Sequence, residues 1–332
     1  MPWFNRPKPP GPTPDGRFQG LSEAEQARDR ELLEKGQLPA KAVNRVVATR
    51  EGQLPWMSTF SVPETALADL LHLTPIAQVT GSSYFHAATD QSQRIFLDDH
   101  FDAANLIRAH YRAKSDALGR LVEEARLAGA HAVIDTRIQF TREGTVVTCS
   151  LVGTAVSFGP TLRPPRTPLV SPLTGEDFYR LWSRGYMPVT WAVGYYRHVM
   201  PVGYRTRSIT SGWNFWNQEV TGVTERLSEV RRYAVQQMLR DARDSGQRVD
   251  GLVGVTIRTA IEETEILMMA GYGAYGFGGG VTIDGTFYPY DNGRAEIPAY
   301  SVEFLLSGAG ISRVSSDPLA AKDIQSVLAA LP

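Results

Sequence analysis

Apolar positions three and four residues apart alternate along this chain with short runs of period two, and the same succession occurs twice. In the first pass Glu64 to Leu73 reads as a helix with Pro63 just ahead of it. Ile76 to Thr80 then reads as a short strand closed by Gly81, and residues 87–107 as a polar loop. Ala113, Ala117, Leu121 and Ala125 fall on one stripe at four-residue spacing, widened by Leu118 and Val122, which predicts a helix packed on one face. Gly129 stands where a left-handed cap ends such a helix. Ala132 to Phe140 and Thr145 to Phe158 are strand-like, joined by Arg142-Glu143-Gly144 as a hairpin turn. In the second pass Glu176 to Arg184 is a helix and Val189 to Val193 a strand closed by Gly194. Val230 to Ala242 is a helix stopping at Gly246, and Leu252 to Ile261 with Tyr300 to Ile311 form the hairpin.

The two passes also share letters. Pro75-Ile76-Ala77-Gln78-Val79-Thr80-Gly81 is answered by Pro188-Val189-Thr190-Trp191-Ala192-Val193-Gly194, and Gly153-Thr154-Ala155-Val156 by Gly308-Ala309-Gly310-Ile311. Internal repetition fixes architecture before any residue is given a chemical role. It divides the chain into a proline-rich arm (1–20), a short helix with connector (21–50), repeat one (58–158), a proline-rich linker (159–172), repeat two (173–314) and a closing helix (317–331). Ser22 with Glu25 forms a capping-box signature for the first helix, whose sequence is charged nearly all round. Repeat two alone carries a glycine- and aromatic-rich insertion at 265–297.

Composition narrows the function classes. With 332 residues, 42% of them hydrophobic and 21% charged, the chain suits a two-domain globular protein. A net charge of −1 offers no field for nucleic acid or an anionic membrane. The single cysteine, Cys149, excludes an internal disulfide framework. No apolar leader and no long charge-free apolar run is found, so a cytoplasmic location is expected.

The strand into Gly81-Ser82-Ser83-Tyr84, the helix segment Glu123-Glu124-Ala125-Arg126-Leu127-Ala128-Gly129-Ala130-His131-Ala132-Val133 and the strand end Gly153-Thr154-Ala155-Val156 resemble the YbjQ-like family of small bacterial proteins, which carries a heavy-metal-binding label. The arrangement of short helix, linker and two such domains is similar to actinobacterial proteins of that label. The resemblance implies an α+β fold of tandem dodecin-like units, each a central helix packed on a short antiparallel-rich sheet, assembling into a pentamer. It implies no established activity.

Candidate chemistry is sparse. His86 and His198 follow the glycines of the two repeats by four or five residues, and equivalent histidines from several subunits can meet at a ring axis around a divalent or heavy metal. Cys149 is the third candidate ligand, and a small core residue by the simpler reading. Gly271-Tyr272-Gly273-Ala274-Tyr275-Gly276 fits a dinucleotide fingerprint literally, but a glycine run and a β-like stretch follow it instead of a helix. Tyr272, Tyr275 and Phe277 in that uncharged stretch read as a hairpin over its own domain, a subunit contact or a lipid contact. Trp213, Phe215 and Trp216 form a second aromatic cluster of interface type. Glu123 and Glu124 are adjacent on a helix and read as solvated, as does the face carrying Arg231, Arg232, Arg240, Arg243, Asp241 and Asp244. No hydrolase elbow, phosphate loop or zincin helix occurs. The sequence therefore points to a non-enzyme that works by homo-oligomeric ring assembly, with open sheet borders pairing between copies. Metal or small-ligand binding through the His86 and His198 loops is the alternative, and a membrane-associated ring using the insertion a further one.

Overall fold

The computed structural model describes residues 22–70, 73–87, 99–143, 146–158, 167–203, 221–269, 279–283 and 285–313. Two helices lead the chain, α1 (Glu23–Glu34) and α2 (Ala40–Arg50). The first unit follows as α3 (Val62–Leu70), β1 (Thr74–His86), α4 (Asp99–Ala128), β2 (Ala132–Glu143), β3 (Val146–Ser157) and β4 (Leu169–Val170). The second runs α5 (Gly175–Trp182), β5 (Tyr186–Pro201), α6 (Thr221–Asp244), β6 (Gly251–Met269), β7 (Gly280–Ile283), β8 (Thr286–Pro289) and β9 (Arg294–Arg313). The fold class is α+β, as expected. The first sheet has the order β1-β3-β2-β4 and the second β5-β9-β6, antiparallel except for β4.

The two units match in their irregularities as well as in strand order. A bulge lies between Pro75 and Ala77 in β1 and between Pro188 and Thr190 in β5. A second lies between Ile134 and Arg137 in β2 and between Val253 and Thr256 in β6, each beside a left-handed residue, Asp135 at φ 51° and Gly254 at φ 59°. Gly129 at φ 75° and Gly246 at φ 73° end the central helices. Such conformations cost an ordinary side chain free energy, and the two units place them at corresponding points of strand and helix.

Gly81 and Gly194 do not close their strands. Each sits in mid-strand, where β1 and β5 run on to His86 and Pro201. A Cβ at Gly81 would lie 2.0 Å from the Ala117 carbonyl oxygen, and one at Gly194 2.1 Å from that of Ala234. The alanine stripe and the glycine together let helix and strand backbones touch, and the absent side chain is a packing requirement rather than a stop signal. The central helix is also longer than its apolar stripe predicted. It begins at Asp99, so residues 99–107 are helical, and Leu106 and Ala109 extend the buried stripe toward the N-terminus.

The span read as a linker is partly structural. The Leu169 amide donates to the His131 carbonyl at 3.1 Å and that of Ser171 to Val133 at 2.9 Å, which lays β4 along the border of β2. The ends of the 265–297 insertion prolong the main hairpin, β6 and β9 staying paired from Glu265 opposite Pro298 to Met269 opposite Arg294. Beyond them β7 and β8 form a small hairpin, and the Tyr288 hydroxyl donates to the Val202 carbonyl at 3.1 Å. The arm 1–20 and the closing helix 317–331 lie outside the described residues. Ser22 and Glu25 make the expected capping box, and α1 buries no side chain.

The two cores merge. Trp191 and Val193 of β5 are buried in one cluster with Leu106, Ala113, Leu121 and Val133 of the first unit. A side chain of this size contributes on the order of 1.5–3 kcal/mol when fully buried, so the joint between units is part of the core.

Candidate functional site

The joint between the units is built on an edge strand. Among the described residues β5 pairs with β9 on one side only, and its other border presents backbone groups that need partners. Asp241 of α6 accepts from the Val193 amide at 2.8 Å. Tyr111 of α4 donates to the Val193 carbonyl at 3.3 Å and accepts from the Tyr195 amide at 3.2 Å. Lys114 of α4 reaches the Trp191 carbonyl at 3.5 Å and closes an ion pair with Asp241. Helix α4 of the first unit thus plugs the border of the second.

The border of β1 is plugged in the same way. Glu124 of α4 accepts from the Thr80 amide at 2.8 Å, and Arg45 of α2 donates to the Gln78 carbonyl at 3.0 Å while pairing with Glu124. Glu124 stands five residues before Gly129, and Asp241 five before Gly246. Glu124 is only 3% exposed and Asp241 half-buried, so the solvated reading of both is corrected. A carboxylate on the inner flank of a helix is retained because it meets an amide and a cation at once. The expectation that these borders stay open for another copy is likewise corrected for the middle of each, Gln78 to Thr80 on β1 and Trp191 to Tyr195 on β5, where side chains satisfy backbone groups within the chain.

Beyond the plug the joint opens into a cleft of about 550 Å³. Its floor is aromatic. His110 stacks on Tyr195 at 3.6 Å between ring centres, 14° from parallel, and lies 5.1 Å from Phe140. Its Nδ1 is 2.8 Å from the Leu106 carbonyl, and burial pulls its pKa down to about 4, with Arg142 and Arg197 adding repulsion. The imidazole is neutral across the physiological range. Glu303 of β9 lies between Arg142 of the first unit at 2.7 Å and Arg197 of the second at 3.2 Å, an ion-pair network that spans the joint. Burial also raises the Tyr111 phenol to about 12.

The sequence candidates lie elsewhere. His86 is exposed at the end of β1, opposite Val146. Cys149 is fully buried against α4, opposite Ser83 and Phe140, and burial pushes its thiol up to about 12. The alternation of a strand puts His86 and Cys149, three register steps apart, on opposite faces of the sheet. His198 lines a cavity of about 350 Å³ in the second unit with Tyr196, Arg226, Glu229 and Tyr233. The structure does not bring the three together within one chain. Among the described residues, no group of three His, Cys, Asp or Glu side chains gathers where a metal ion would sit. Trp213, Phe215, Trp216, Tyr272, Tyr275 and Phe277 lie outside the described residues. Among those described, no helix is long and apolar enough to cross a membrane.

Arg45 and Lys114 were not singled out by the sequence reading, and Glu124 and Asp241 were read there as solvated. A signal existed: the position five before each cap glycine is acidic in both repeats. The cations carried no such mark, because one comes from α2 and the other from the preceding unit's helix.

Comparison with known proteins bears on this architecture. Residues 102–159, which cover most of α4 and all of β2 and β3, match the model of the YbjQ family described as "Putative heavy-metal-binding". The Encapsulin nanocompartment protein Rv1762c of Mycobacterium tuberculosis (strain ATCC 25618 / H37Rv) is 27% identical over 206 residues, covering 60% of this chain and 76% of that protein. No solved structure matches the chain. The likeness to the YbjQ family thus rests on residues 102–159, the stretch that forms the central helix and the hairpin of the first unit.

Proposed function

We propose that this protein is a non-catalytic, cytoplasmic assembly protein whose YbjQ-like units join into a homo-oligomeric ring of pentamer type. The observation that carries the reading is the joint itself. Lys114 and Tyr111 on one unit's helix meet Asp241 and the strand border of the next unit, using two different surfaces of the same design. A contact between unlike surfaces propagates until rotation closes it. Because the units of one chain already meet head to tail, a ring of five chains runs as ten alternating units, in preference to two stacked layers. Similarity to a protein named for a nanocompartment supports an assembly role. Sedimentation analysis of the full chain at micromolar concentration tests the reading: a multiple of the chain mass is expected, with five as the preferred number, and a lone chain overturns it.

A second reading, metal binding, draws on His198 beside Glu229 in the smaller cavity, with further ligands supplied by another copy. Metal content of untagged protein before and after His198→Ala decides it; no metal in either sample removes it.

A further inference from the structure

The joint inside the chain uses two faces of the fold, and each unit leaves one of them without a partner. The first face is the flank of the central helix together with the exposed row of the second strand. In the first unit it consists of Lys114 and Leu118 on α4 with Ile138 and Phe140 on β2, which meet the second unit at Asp241 and in the cluster that holds Trp191 and Val193. The equivalent face of the second unit carries Val235 and Leu239 on α6 with Val255, Ile257 and Ile261 on β6. These five side chains are 37% to 51% exposed.

The other face is the outer side of the sheet. In the second unit Trp191, Val193 and Leu305 form it and pack on the first unit. In the first unit that side carries Gln78, Thr80 and Ser82, but α2 and the connector after it resurface it. Arg45 is bound to Gln78 and Thr80, and Ser58 and Thr59 are held by Thr154 on β3 at 3.0 and 2.7 Å. The stretch between those two anchors presents Leu54, Trp56 and Met57, and Tyr84 stands further along the same side, all 43% to 76% exposed. Among the described residues, nine of the eleven exposed large apolar side chains lie on these two faces. Apolar exposure confined to two patches marks interaction surfaces.

Resting on the assembly reading, we infer that the α6/β6 face of one copy docks on the Leu54–Met57 and Tyr84 face of a second copy of this chain. The pair of faces is the one already joined inside the chain, so the contact between copies continues an interface that the fold is known to make. It is not an identical joint. Arg45 already fills the β1 border, so Arg231, which stands on α6 where Lys114 stands on α4, need not reach it. α2 and its connector act as an adaptor, lending apolar cover to a sheet face that is polar in its own letters.

Two full-length variants test this: a tail variant, Val235→Glu with Leu239→Glu, and a head variant, Trp56→Glu with Met57→Glu. Both alter exposed positions, and unchanged thermal unfolding checks the fold; Ile257→Lys with Ile261→Lys is the substitute should the tail variant unfold. Sedimentation is expected to show each variant alone as a single chain. An equimolar mixture should give dimers that grow no further, because it contains one intact face of each kind. A head variant that remains a dimer by itself means that like faces pair, and overturns the inference. A tail variant of unchanged mass also overturns it, because the face is then covered otherwise, residues 314–332 included, while an oligomeric wild type keeps the assembly reading. A wild-type single chain overturns both.

Discussion

The plug on β1 and the plug on β5 are the same device made from different stretches of chain. Both place a carboxylate five residues before the helix cap, use it to take an amide from the strand border, and neutralise it with a cation that also serves a border carbonyl. They differ in who supplies the cation. Lys114 belongs to the neighbouring unit's core helix and is 7% exposed, whereas Arg45 comes from a short leading helix and is 31% exposed. The comparison teaches that a carboxylate-flanked strand border is a socket, and that either another unit or a short helix can fill it. An unpaired charge costs most where water is excluded from it, so the cation should matter more at β1, where Glu124 is 3% exposed, than at β5, where Asp241 is 21% exposed.

The sharpest way to test the sameness is at the two glycines. Gly81→Ala and Gly194→Ala each drive a Cβ onto a helix carbonyl, and both should cost about 3 kcal/mol or more in denaturant unfolding. A small cost at either site would mean that the helix–sheet contact differs between units. Next come the cations. Arg45→Met leaves Glu124, only 3% exposed, without its charge partner and should cost about 3–5 kcal/mol, while Lys114→Met leaves Asp241, 21% exposed and within reach of water, and should cost about 1–2 kcal/mol. Equal losses would break the distinction between a buried and a half-open socket.

His110 gives the joint a pH dependence. Its folded pKa lies near 4, below the ordinary 6.5, so the unfolded chain takes up the proton first as pH falls. Stability is fully present above about 6.5 and declines toward pH 4, by a few kcal/mol at most (each pKa unit being worth about 1.4 kcal/mol). His110→Phe keeps the stack on Tyr195 and should flatten that slope in thermal unfolding followed against pH. The smallest effect is expected outside the joint. Ser22→Ala removes the α1 cap and should cost about 1 kcal/mol locally, visible as slightly reduced helix signal with the main transition unmoved.

Features that rest on neighbours in sequence were legible. The capping box at Ser22 and Glu25, the cap glycines Gly129 and Gly246 and the central stripe from Ala113 to Ala125 follow from local periodicity and backbone preference, whereas Arg142 and Glu143, read as a turn, are the last paired residues of β2. Gly81 and Gly194 were visible as letters and misread as strand ends, because what they answer to is a helix carbonyl more than thirty residues away. Glu124 and Asp241 were likewise visible and misread as solvated. Their burial depends on which flank of the helix meets a strand border, and helical period alone does not choose between flanks. His86, His198 and Cys149 stood out by residue type, yet the pleat and the separation of the sheets keep them apart within a chain.

The letters by themselves therefore determined an α+β chain in which one succession of helix and strands occurs twice, because propensity, periodicity and capping act over a few residues. Only the tertiary structure decided that the units share a core at Trp191 and Val193, that a helix can stand in for a unit at the β1 border, and which faces remain uncovered. Those outcomes depend on distances between residues far apart in sequence, where burial and the pairing of backbone groups, rather than local preference, set the free energy.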